Sequence, residues 1–180
     1  KNVFSALNYL YGHHLNIQVG EILEDLLVSA CFGSPSIYNI GHIRKVIEYL
    51  FYSMVKNNLL PLNLKNVNNK MNLEGYSRLL SALDVDCNGI HYKVIIPIIN
   101  KVMAKNIHNL LQLGNSGSHA ANDSNSKDLD EYLQKVGTNN LLNSCALQLC
   151  DVILWYEQII KDTQKQMEQR GKVFQWWSEV

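Results

Sequence analysis

The sequence predicts an all-α protein, a bundle built on four main helices with short additional ones. Two observations lead to this. Apolar residues recur at helical spacing through the long stretches of the chain, and no stretch sustains the apolar–polar alternation of a half-buried strand. Only three prolines, Pro35, Pro61 and Pro97, punctuate 180 residues, which leaves long runs free of helix breakers.

Residues 3–11 (VFSALNYLY) are a short helical candidate, and His13 with His14 reads as the break after it. Over residues 17–32, Val19, Ile22, Leu23, Leu26, Leu27, Ala30 and Cys31 share one face, and Gly33 then Pro35 give a C-terminal stop. The next helix spans 39–57, with Ile43, Val46, Ile47, Leu50, Phe51, Met54 and Val55 as its buried stripe. Residues 58–72 are rich in Asn and Lys and read as a loop. A short helix over 73–83 follows, capped by Asn72. Residues 84–92 read as a turn, and Pro97 suits the first turn of a helix that stops at Gly114. The small, polar stretch 114–128 is a loop, 128–135 a short helix, and 138–167 the longest helix. The chain thus divides into an N-terminal helical extension (1–38), a bundle (39–167) and a tail (168–180) carrying Phe174, Trp176 and Trp177.

Composition narrows the functional classes. At 47% hydrophobic residues the chain has enough apolar surface to fold, which excludes disorder over most of its length. Its length suits a core that needs neither disulfides nor metals. No apolar run reaches the roughly 18–20 residues that span a bilayer. Cys31, Cys145 and Cys150 lie in apolar helical patterns and no Cys-x-x-Cys pair exists, so the compartment reads as reducing and cytoplasmic. No secretory leader is visible, and a start on Lys1 suggests a piece of a longer protein. Net charge is zero but unevenly spread. Residues 56–122 carry seven lysines and arginines against three acids, and residues 123–162 carry three against seven. Either two solvated faces attract each other, or the basic segment meets a phosphate-bearing partner. A dedicated nucleic-acid binder would be more lopsided.

Several motifs invite chemistry. Asp84, Asp86 and Asn88 followed by Gly89 imitate the opening of a calcium loop, but Ile95 stands where the closing glutamate belongs, so a capped turn is expected. His13 and His14 have no third ligand at a recognisable spacing, and no metal site is expected. Arg44 and Glu48 are four residues apart, as in a surface ion pair or the flank of a site. At 107–120 an apolar helical face runs into Gly114, Asn115, Gly117 and His119. Glycines there would let the backbone leave the helix and hold Asn115 near His119. A helix cap with a backbone-bonded histidine is the structural alternative.

The Arg44-Lys45-Val46-Ile47-Glu48 helix, the Leu-Gly-Asn-Ser-Gly-Ser-His turn at 113–119 and the long final helix together resemble the HEPN superfamily. More narrowly, they are similar to its uncharacterised branch fused to restriction-enzyme subunits and other prokaryotic defence proteins. There an Arg-x-x-x-Glu helix comes first and a Gly-Asn-x-x-x-His turn precedes the last long helix. The likeness covers residues 39–162. It implies a helical bundle that often dimerises and, in active members, a ribonuclease that needs neither metal nor cofactor. The active motif is an arginine, a polar residue, three further positions and a histidine, two copies facing each other across the dimer. Carried onto this chain, the polar residue is Asn115 and the histidine His119, while Gly114 holds the arginine's place.

Attack of a ribose 2′-OH on phosphorus needs a proton acceptor and a cation for the developing charge. His119 suits the first role. Gly114 cannot fill the second, and Arg44 or Arg78 would do so only if the fold brought one within reach; the resemblance therefore implies a degenerate motif that contacts RNA or nucleotide with absent or weak cleavage. Candidate catalytic residues are His119 and Asn115; candidate substrate contacts are Arg44, Glu48, Lys101 and Lys105. The implied partners are RNA or nucleotide, a second copy of the chain, and a larger defence protein fused to or partnered with it, with no membrane. Two other readings stay open. One is a non-catalytic dimerisation or docking module, with Trp176 and Trp177 either interface anchors or packed back on the bundle. The other is an unrelated four-helix protein whose likeness is accidental.

Overall fold

The structure, a computed structural model, describes residues 2–12, 17–32, 37–66, 68–118, 131, 135, 139–170 and 175–180. The chain is mostly helical, but not wholly so. The helices are α1 (Asn2–Gly12), α2 (Ile17–Phe32), α3 (Ile37–Lys56), α4 (Leu73–Leu80), α5 (Lys101–Ser118) and α6 (Asn139–Arg170). A three-stranded sheet is formed by β1 (Val85–Cys87), β2 (Ile90–Val94) and β3 (Trp177–Glu179), in the order β1-β2-β3. No helix among the described residues is long and apolar enough to cross a membrane.

Two compact units interleave along the sequence: Lys1–Tyr49 with Asn109–Leu154, and Leu50–His108 with Trp155–Val180. Helices α3, α5 and α6 contribute residues to both.

In the first unit the predicted apolar stripes are inward. Leu23 and Leu26 of α2, Ile43, Val46 and Ile47 of α3, Leu110 and Leu111 of α5, and Leu142, Leu149 and Ile153 of α6 are all buried. Burial of each such side chain contributes about 1.5–3 kcal/mol. Helix α1 packs on α2, where the Tyr11 ring lies so close to Gly20 that a β-carbon there would sit 2.7 Å from Tyr11 Cε1. The Tyr11 hydroxyl donates to Glu24 Oε2 at 2.7 Å.

In the second unit α3 ends in a Schellman turn. Leu59 N donates to Met54 O at 2.8 Å and Asn58 N to Val55 O at 3.0 Å. Asn58 takes the left-handed conformation (φ 57°) that this motif needs and asparagine tolerates. The Asn-rich stretch after it turns for the same reason. Asn69 is also left-handed (φ 60°), and Asn66 Oδ1 accepts from the backbone of Asn68 and Lys70 at 3.0 Å each. Asn72 caps α4 by accepting from Gly75 N at 2.9 Å.

Residues 84–94 correct the sequence reading. They form a β-hairpin, with Val85 opposite Tyr92 and Cys87 opposite Ile90. Its two-residue turn is Asn88 (φ 52°) and Gly89 (φ 79°), the positive-φ pair that matches the twist of paired strands. Asp84 Oδ1 accepts from Val94 N at 3.0 Å, Asp86 Oδ1 bonds His91 Nδ1 at 2.7 Å, and Asn88 Nδ2 donates to Lys65 O at 3.0 Å. The side chains that imitate a calcium loop thus staple the hairpin. After it, α5 starts at Lys101 and not at Pro97.

The aromatic tail takes the second of its two readings and packs inward. Trp176 is 1% exposed, and its Nε1 donates to Leu59 O at 2.7 Å. Trp177, half-buried in β3, donates to the same carbonyl at 3.2 Å. Neither indole is a free interface anchor. Tyr156 is buried in the same unit, its hydroxyl 2.7 Å from Ser53 Oγ.

Candidate functional site

The Gly-Asn-Ser-Gly-Ser-His segment does not begin with a break. Helix α5 runs through Gly114 to Ser118, so the expected stop at Gly114 is overturned. The reason is packing. Gly114 is buried against α3, and a β-carbon on it would lie 2.7 Å from Arg44 N, 2.9 Å from Arg44 Cβ and 3.0 Å from Arg44 Cα. The glycine serves close approach of two backbones inside a helix, not departure from one. Asn115, on the last turn of α5, is half-buried. Its Oδ1 is buried and accepts no hydrogen bond from the described residues. A buried acceptor without a partner costs about 1–3 kcal/mol.

His119 lies outside the described residues, as do His13 and His14 and most of the 128–135 helix. Arg44 is half-buried and Glu48 exposed, both on α3 in the first unit with Asn115. Lys101 and Lys105 belong to the second unit. The proposed site residues are therefore not one cluster within either unit.

Lys101 and Lys105 do line a cleft. Its volume is about 290 Å³, and its walls are Arg78, Ser81, Leu83, Lys101, Ala104, Lys105 and His108. Two local structures build it. Lys101, Ala104, Lys105 and His108 follow the i, i+3, i+4, i+7 spacing of one helical face of α5. Arg78, Ser81 and Leu83 come from the Schellman turn that ends α4. There Leu83 N donates to Arg78 O at 3.1 Å and Ala82 N to Leu79 O at 3.0 Å. Ala82 is forced to φ 60° in this turn. A residue with a β-carbon in that conformation costs about 1 kcal/mol, a strain located at the rim of the cleft.

The electrostatics of the cleft are one-sided. Arg78, Lys101 and Lys105 are exposed cations, and no carboxylate is among the lining residues. Lys101 occupies the first turn of α5, where the helix dipole disfavours a cation, and no acid stands in that turn to offset it. Lys101 and Lys105 repel each other at i, i+4. These placements cost stability and favour an anion in the cleft. His108 is tied to α4: its Nδ1 lies 3.3 Å from the buried Ser77 Oγ and 4.0 Å from Glu74 Oε1. The Ser81 hydroxyl donates to Ser77 O at 2.9 Å, so its proton is already used.

Sequence reading found Lys101 and Lys105, named Arg78 only as a stand-in for the missing motif arginine, and passed over Leu83 and His108 as members of this site. The helical-face spacing of 101, 104, 105 and 108 was available to find His108. Arg78 depends on the turn at Ala82, which the residues themselves do not announce.

Among the described residues no group of three or more His, Cys, Asp or Glu side chains is placed to hold a metal ion. Fold and site together define a mostly helical protein with a small antiparallel sheet and a cationic cleft. No protein-family model, no curated protein and no solved structure matches the chain.

Proposed function

We propose that the chain is a HEPN-like, RNA- or nucleotide-contacting module of a prokaryotic defence or stress protein, with a degenerate ribonuclease motif. It acts in the cytoplasm as a homodimer, and a larger defence protein is fused to it or bound by it. In this reading α3, α5 and α6 belong to the HEPN-like bundle of residues 39–167, and α1 and α2 to the extension before it. The observation that carries it is the cleft of Arg78, Lys101, Lys105 and His108, a concentration of positive charge without a lining carboxylate. Phosphate is the biological anion that such sites take most often, through arginine forks and lysine charges.

The packing of Gly114 supports the degenerate motif. A β-carbon at 2.7 Å from the Arg44 backbone leaves no room for the arginine of active members. The docking-module alternative rests on the missing arginine and on the tryptophans, and of these Trp176 and Trp177 bond Leu59 O.

The test is fluorescence anisotropy with a labelled single-stranded RNA at low salt. Lys101→Gln/Lys105→Gln should weaken binding at least about tenfold, since each lost charge-assisted contact is worth about 1.5–3 kcal/mol. Unchanged affinity would remove the cleft from the function. Cleavage of the same RNA, measured beside His119→Ala, tests the motif; equal cleavage by both proteins would exclude His119.

A further inference from the structure

Resting on that reading, we infer that the cleft is selective for a terminal phosphate, the dianionic monoester of a nucleotide or of a phosphorylated RNA end, over the internal phosphodiesters of a strand. The argument begins with charge. Arg78, Lys101 and Lys105 line one cleft of about 290 Å³ with no carboxylate on its walls. An internal phosphodiester carries one negative charge against the three cations of the lining. A terminal phosphate carries about −1.5 to −2 at neutral pH and a third free oxygen. Three cations converging on a small space match the second ligand.

Size agrees. A cleft of this volume lies at the small end of ligand sites and admits one phosphorylated unit. A groove tracking several nucleotides would need a row of stacking aromatics, and no Phe, Tyr or Trp lines it. Donor chemistry also agrees. Arg78 offers a planar fork for two phosphate oxygens, and Lys101 and Lys105 add point charges. His108 lines the cleft as well, with its Nδ1 3.3 Å from Ser77 Oγ. Leu83 and Ala104 supply apolar wall for the ribose or base behind the phosphate. Glu74, 4.0 Å from His108 Nδ1, is the nearby carboxylate and sits on the Nδ1 side of the ring.

The experiment compares one single-stranded RNA sequence with hydroxyl ends, a 5′-phosphate or a 3′-phosphate, each titrated against the wild-type chain. It adds competition by the nucleoside monophosphate and by inorganic phosphate. One phosphorylated end should bind at least about tenfold more tightly than the hydroxyl RNA, the size of one added charge-assisted contact. Arg78→Gln and Lys105→Gln, both exposed positions whose folding circular dichroism verifies, should erase that difference. Monophosphate competing as well as the phosphorylated RNA identifies a free nucleotide as the ligand, and competition by RNA alone identifies an end; both support the inference. Equal binding of phosphorylated and hydroxyl RNA, reduced equally by the variants, overturns the inference and leaves the RNA-contacting reading standing. A phosphate preference that survives both variants overturns it as well. No binding of any of these ligands overturns the reading itself.

Discussion

Gly114→Ala separates close helix packing from a helix cap. In the structure the new β-carbon would sit 2.7 Å from Arg44 N, where ordinary van der Waals contact begins at 3.4 Å, an overlap of 0.7 Å. The three nearest atoms are Arg44 N, Cβ and Cα, so no side chain can rotate away. Residues of α3 and α5 must separate, and overpacking of this kind costs about 1–3 kcal/mol. Alanine gains up to about 1 kcal/mol of helix propensity over glycine, less near the C-terminal end of a helix. The balance is a loss of about 1–2 kcal/mol, which lowers the thermal midpoint by about 2–8 °C in a chain of this size. Differential scanning calorimetry or a circular dichroism melt reads it. Asn109→Ala, an exposed position on the same helix, should be neutral or slightly stabilising. A Gly114→Ala midpoint that rises with the Asn109→Ala one would refute the packing argument.

Ala82→Gly should stabilise the protein by about 0.5–1 kcal/mol in urea unfolding, because glycine adopts φ 60° without strain and this exceeds its greater flexibility in the unfolded chain; a loss of stability would deny the strained turn beside the cleft. Burial holds the His42 imidazole below its ordinary 6.5, with the Lys45 charge adding to the shift and Asp25 opposing it. The unfolded chain therefore takes up the proton first, and stability is lost as pH falls from about 6.5 toward the lower native value. His42→Gln should flatten the dependence of the melting midpoint on pH between about 7 and 5.5, and parallel profiles would contradict the assignment. Burial pushes the Cys145 and Cys150 thiols up to about 11. At pH 8 only about a thousandth of each is thiolate. Ellman's reagent should spare both in the native protein and label both in guanidinium, with peptide mass spectrometry as the readout; equal rates in the two conditions would contradict their burial.

Much of the fold was legible because burial follows period. The stripe through Ile43, Val46, Ile47, Leu50, Phe51 and Met54 announces α3, and all six are buried. Asn72 before an amphipathic run announces a cap, which it forms. The sheet was not legible by alternation, because β1 and β3 are three residues each and β2 five. The Asn88-Gly89 pair was the available signal, masked by its likeness to a metal loop. Gly114 misled for a related reason. Glycine ends helices by freeing φ and lets them touch by lacking a β-carbon, and only the position of Arg44 decides between the two uses. The cleft was half legible. Lys101 and Lys105 stood out as charge, whereas Arg78 joins them through a left-handed alanine, a conformation that alanine does not advertise.

The salt dependence of RNA affinity tests the cleft most directly. For single strands the slope of log affinity against log salt is about −0.7 for each phosphate neutralised. Wild type and Arg78→Gln/Lys101→Gln/Lys105→Gln, titrated with the same RNA from about 50 to 200 mM salt, should differ in slope by about 1 to 2, with the variant shallower and weaker throughout. Coincident lines, equal in slope and height, would mean that these cations meet no phosphate.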